Sequence, residues 1–118
     1  MDIKLHQAKT TEIVVNPMIE FIEEWDAEGY TVEDVRKCEA LIHRYLDNLA
    51  AMTSVTDEAI MEQVKILVLA LNDLNESTDY SLIETEAREA IWEVIQTSAV
   101  DCGLKNVPDD VTEEWRDW

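Results

Sequence analysis

Only two glycines and two prolines punctuate the 118 residues, and each of the four sits where the apolar pattern changes. These residues are the strongest local breakers of regular structure. A chain that has so few of them folds into long, uninterrupted elements, and the period of its apolar residues decides which kind. Met18, Phe21, Ile22 and Trp25 recur at helical spacing between Pro17 and Gly29. Val35, Cys38, Ile42, Tyr45, Leu49 and Met52 repeat it, as do Ile60, Val64, Leu67, Leu71 and Leu74, and then Ala87, Ile91, Val94, Ile95 and Ser98. Apolar residues at i, i+3, i+4 and i+7 mark one face of a helix. The spacing therefore predicts helices over 17–28, 32–51, 57–74 and 86–102, joined by short loops into an all-α, up-and-down four-helix bundle in a single domain of 1–118.

Boundary residues agree with this register. Asn16 offers a cap before Pro17, Thr31 with Asp34 forms an approximate capping box, Thr56 precedes Asp57 and Glu58, Thr85 offers a cap for the fourth helix, and Gly103 followed by Leu104 closes it. The third helix also carries Ile66, Val68 and Leu69 off its main stripe, which predicts the most buried position in the bundle. Ahead of it all, residues 1–15 end in Ile13, Val14 and Val15, a β-branched trio that favours extended backbone, and read as an extended N-terminal arm. After Pro108, residues 109–118 read as a short amphipathic C-terminal helix in which Val111, Trp115 and Trp118 share a face that docks on the bundle.

Hydrophobic residues make up 47% of the chain, enough for a real core, yet 27 Asp and Glu stand against 9 Lys and Arg, a formal net charge of −18. Such a surface repels phosphate backbones and anionic headgroups, which argues against direct nucleic-acid or membrane binding and for a partner with a basic surface. The longest apolar run, Ile66–Leu71, falls far short of the ~20 residues that span a bilayer. The N-terminus has no charged start followed by an apolar stretch of the secretory kind. Cys38 and Cys102 form no C-x-x-C pair or disulfide framework, and free thiols in the cytoplasm are the expectation.

Chemistry-bearing patterns are sparse. Asp73, Asn75, Ser77, Asp79, Ser81 and Glu84 occupy positions 1, 3, 5, 7, 9 and 12 of an EF-hand-like calcium loop, but Thr78 stands at position 6, where the sharp turn requires Gly, and Tyr80 at position 8. The expectation is no specific calcium site and a plain interhelical loop in which Glu84 supports Arg88 at i, i+4. Glu20 with Glu23 and Glu76 with Asp79 match the letters of the E-x-x-E and E-x-x-D pairs of all-helical Mg2+-dependent hydrolases. In so acidic a chain such matches arise by chance, and few basic residues are present to hold a phosphate. His43 shares a helix face with Glu39 and Asp47 at i, i+4, the spacing of a solvated charged stripe that includes Arg36, and His6 stands alone on the arm. No phosphate-binding loop, nucleophile elbow or zinc spacing occurs, so no catalytic residue and no cofactor is expected.

What remains is surface. Acids run from Glu20 to Asp34 without one basic residue, and they are dense again through 109–117, where Arg116 is the one basic residue. Each tract borders tryptophan, the residue class that anchors interfaces. Glu23, Glu24, Trp25, Asp26, Trp115 and Trp118 are the expected contact residues for a basic protein partner, or for a second copy of this chain. The reading is a protein-interaction module, in its sharper form an immunity or inhibitor protein or a mimic of nucleic-acid charge; a divalent-cation binder and a metal-dependent hydrolase are the alternatives. The run DYSLIETEAR at 79–88 and the closing DDVTEEWRDW are similar to stretches of a family of small bacterial proteins of unknown function. The resemblance implies a bacterial, cytoplasmic, non-enzymatic domain and assigns no site.

Overall fold

A computed structural model of the chain, described for residues 1–25 and 28–118, contains helices and no strand among the described residues. Helix α1 (Ile3–Thr10), a π turn (Thr11–Val15) and α2 (Asn16–Trp25) follow one another with no non-helical residue between them. Together with α3 (Val32–Ala50), α4 (Asp57–Ser77) and α5 (Thr85–Cys102) they make a bundle with four legs. No helix among the described residues is long and apolar enough to cross a membrane.

The N-terminal segment is thus helical and docked, not an extended arm. Asp2 caps it, accepting the Leu5 N–H at 3.2 Å. The side turned to the bundle carries His6, Thr10, Val14 and Met18, all buried. Two of these four are polar, so an apolar count overlooks the stripe. Thr10 Oγ1 donates to the His6 carbonyl at 2.7 Å, and His6 Nε2 lies 2.8 Å from Asp101 Oδ2 on α5, while His6 Nδ1 is buried without a partner. Lys9 adds an ion pair to Glu93 at 3.3 Å.

Residues four apart advance about 400° around an α-helix, so a stripe of that period drifts by about 40° per step. The wider π turn, in which the Asn16 N–H reaches back to the Thr11 carbonyl, takes up part of the drift. It also makes room for the Pro17 ring, which an ordinary turn would press against the carbonyl of Ile13. Asn16 accordingly sits in helical backbone and is the first residue of α2, not its N-cap.

The other boundaries follow the sequence closely. Thr31 and Asp34 close a full capping box, with Thr31 N–H donating to Asp34 Oδ2 at 2.9 Å and Asp34 N–H to Thr31 Oγ1 at 3.3 Å. Thr56 Oγ1 accepts the Ala59 N–H at 3.1 Å. At the end of α5, Gly103 takes φ +122°, and the Leu104 N–H returns to the Ala99 carbonyl at 3.1 Å, with Leu104 buried behind it. Thr85 does not cap α5. It is the first helical residue, and Glu84 holds the cap position without a side-chain bond.

One core cluster draws on every leg, centred on Cys38, Ile42 and Leu46 of α3, Val64 and Leu71 of α4, and Ile91 and Ile95 of α5. Inside it Tyr45 Oη pairs with Ser98 Oγ at 3.0 Å and donates to the Ile95 carbonyl at 3.2 Å. Helix α4 is less enclosed than its sequence suggests, since Ile66 is 50% exposed and Leu69 42%; with only four legs, every helix keeps an outer side. The tail docks as expected, burying Val111 and Trp118, but in turns and not as a helix. Side-chain amides of the bundle occupy main-chain groups that a helix would use. Asn72 Nδ2 donates to the Trp115 carbonyl at 2.8 Å, and the Val111 N–H donates to Gln96 Oε1 at 3.1 Å.

Candidate functional site

A concavity lies where α2 faces the segment that leads into α5. Its volume, about 550 Å3, falls within the ~300–1,000 Å3 of ordinary ligand pockets. Val14, Met18, Tyr30 and Leu82 line it as buried apolar residues, while Phe21 on α2 is 46% exposed at its edge. The Phe21 and Tyr30 rings stack with centroids 6.3 Å apart and planes 14° from parallel. Opposite, Glu84, Thr85 and Glu86 form an exposed rim. The Tyr30 hydroxyl is held above its ordinary value, first by burial and then by the charge of Glu84. The two walls meet at Gly29, where an added β-carbon would stand 2.6 Å from the Ser81 Cβ.

Both walls come from basic-free sequence. Between Lys9 and Arg36, and between Lys65 and Arg88, the chain has no Lys or Arg, and these are its two longest such stretches. The groove is apolar at its base with Glu84 and Glu86 on its rim, and the helix of its other wall carries Glu20, Glu23 and Glu24, all exposed. Trp25 stands at the end of that helix, 69% exposed. The sequence pattern had turned Phe21 and Trp25 inward with Met18 and Ile22; in the fold their side borders the groove and solvent. Asp26 lies outside the described residues. At the other end, Trp118 is buried and Trp115 half-buried, Arg116 stacks over the Trp118 ring at 6.0 Å, and the tail tryptophans are packed instead of displayed.

No family model, curated protein or solved structure matches the chain.

The cation loop of the sequence is not assembled. Helix α4 runs on through Ser77, so Asp73, Asn75 and Ser77 lie on helical backbone, which cannot wrap them around one ion as a 12-residue loop does. Asn75 is buried, with its Oδ1 accepting the Ile83 N–H at 2.9 Å, and Ser77 Oγ donates to the Leu74 carbonyl at 2.6 Å. Asp79 and Tyr80 turn the chain in the left-handed region, where the motif would have placed its Gly one residue earlier. Among the described residues no cluster of three His, Cys, Asp or Glu has metal-binding geometry, so Glu20 and Glu23 do not converge with Glu76 and Asp79.

Burial, with Glu39 second, pushes the Cys38 thiol up to about 12, which leaves no thiolate for chemistry. Burial likewise raises Cys102. On α3, Arg36 pairs with Glu39 at 3.2 Å, and His43 Nε2 is shielded without a hydrogen-bond partner. The expected Glu84–Arg88 ion pair does not form; the two share only the helical backbone bond, 2.8 Å. A smaller hollow of about 170 Å3 between α5 and the tail is lined by Arg88, Trp92, Asp109 and Arg116, with Arg116 engaged by Asp110 at 3.2 Å.

Proposed function

We propose that this chain is a small helical interaction domain that binds a basic protein surface, with the contact centred on the groove between α2 and the start of α5. The observation that carries the reading is the coincidence of an apolar groove of about 550 Å3 with the two longest stretches that lack any Lys or Arg. Apolar contact supplies lasting affinity, and a field of one sign supplies fast, selective encounter. An inhibitor or immunity role suits the pattern better than mimicry of nucleic-acid charge, because a phosphate mimic has no use for the apolar base formed by Met18, Tyr30 and Leu82. The tail tryptophans take no part in this reading.

Capture from a low-salt extract, followed by kinetics on the purified pair, tests it. Reversing Glu23 and Glu24 to Lys is expected to slow association by about tenfold at low salt, with little change at high salt. Trp25→Ala, on an exposed side chain, is expected to act on dissociation. A captured basic partner indifferent to both sets of substitutions would remove the groove and the α2 tract from the interface.

A further inference from the structure

The groove's walls specify more than the charge of what fills them. Its first wall, the π turn and α2, runs from Ile13 to Phe21, a rise of about 12 Å, or roughly two helical turns. Both walls are helix or helix-entry backbone, and no strand edge is present among the described residues, so an extended peptide finds no ladder to join. The base is apolar along this length, and acids stand on both flanks: Glu84 and Glu86 line one side, and the exposed Glu20 and Glu24, each three residues beyond a lining residue of α2 (Pro17 and Phe21), stand beside the other.

We infer that the occupant is a cationic amphipathic helix of the partner, about two turns long at the contact, whose apolar stripe seats against Phe21 and Tyr30 while Lys or Arg on both sides of that stripe meet the two acidic flanks. The inference rests on the proposed binding of a basic partner and adds the conformation and the residue pattern of what binds. Two acidic flanks around an apolar base match an i, i+3, i+4, i+7 stripe bordered by cations, and a second copy of this chain would bring acid against acid.

The test uses two synthetic peptides of leucine and lysine, each about 14 residues, near the length at which an isolated helix becomes marginally stable. One has leucines at helical spacing; the other has the same composition in an order that spreads them around the cylinder. The ordered peptide is expected to bind the full chain at least about tenfold more tightly and to gain helicity on binding. Phe21→Ala is expected to cost the ordered peptide about tenfold and the scrambled one little. Thr85→Trp, at an exposed rim position, is expected to block the ordered peptide by bulk while the fold, checked by circular dichroism, is retained. Equal binding of both peptides overturns the helical inference and leaves the basic-partner reading standing. Failure of both at low salt overturns the two together. Self-association that Phe21→Ala or Thr85→Trp abolishes assigns the groove to a second copy and also overturns the inference.

Discussion

Two residues test the packing most directly. Leu67, 2% exposed, lies in the face of α4 that meets the core, and Leu67→Ala removes transfer energy and leaves a cavity. The expected loss is about 2–5 kcal/mol in denaturant unfolding; a loss below about 0.5 kcal/mol, typical of surface sites, would place it outside the core. Gly29 is constrained by a neighbour, since its φ is not in the left-handed region. With Ser81 Cβ 2.6 Å from an added β-carbon, Gly29→Ala is expected to destabilise by about 1–3 kcal/mol, the ordinary cost of overpacking. Ser81→Gly in the same chain removes the obstructing atom and should recover most of that loss, a coupling that a double-mutant cycle reads directly. Strict additivity of the two substitutions would show that the contact does not constrain Gly29.

At the scale of elements, three carboxylates act as clasps. Asp101 is held below its ordinary value by the His6 hydrogen bond first and the Asp2 N–H second. Asp57 is lowered mainly by the backbone N–H groups of Lys105 and Asn106, at 2.8 and 3.0 Å. Asp110 is pushed up by burial, but the Thr112 hydroxyl and N–H, with Arg116, outweigh this and bring it down. A carboxylate whose folded value lies below its unfolded one stabilises the fold above the unfolded value, about 3.9 for Asp. That contribution disappears as pH falls through the folded value. Asp101→Asn should therefore flatten the acid limb of stability below about pH 5. It should also speed hydrogen exchange in α1 at neutral pH while leaving α4 protected. An unchanged acid limb and unchanged α1 exchange would mean that the His6–Asp101 contact does not secure α1. This segment is where sequence reading failed, because its inward stripe opens on His6 and Thr10 and closes on β-branched residues that favour strands when read alone. The legible elements, α3 to α5, combine an apolar stripe with a terminus marked by Thr31, Thr56 or Gly103. The groove was half legible: the acidic run through α2 is visible in the sequence, but Leu82 and Glu84 join Phe21 and Tyr30 only after the chain has crossed two helices and returned.

For the whole molecule, a net charge of −18 is confined to an envelope of 45 × 27 × 20 Å, and salt acts on it in two opposed ways. At about 0.01 M ionic strength the screening length is roughly 30 Å, comparable with the envelope, so acids on opposite faces repel one another and the compact state bears the cost. At about 0.1 M it falls to roughly 10 Å, and most of that repulsion is gone. The favourable ion pairs that screening also weakens are few and largely exposed, such as Lys37–Glu33 at 3.9 Å, and pairs of this kind contribute about 0–1 kcal/mol each. Relief of repulsion therefore wins, and the thermal midpoint is expected to rise as NaCl goes from about 0.01 to 0.1 M and then to level off. Binding of a basic partner draws on the same field with the opposite sign, so its association rate is expected to fall over that interval. A midpoint that stays flat or falls with salt would show that local ion pairs, not the overall charge, dominate the fold's electrostatics. An association rate that rises alongside a rising midpoint would mean that the partner meets this domain on some surface other than the acidic one around Phe21.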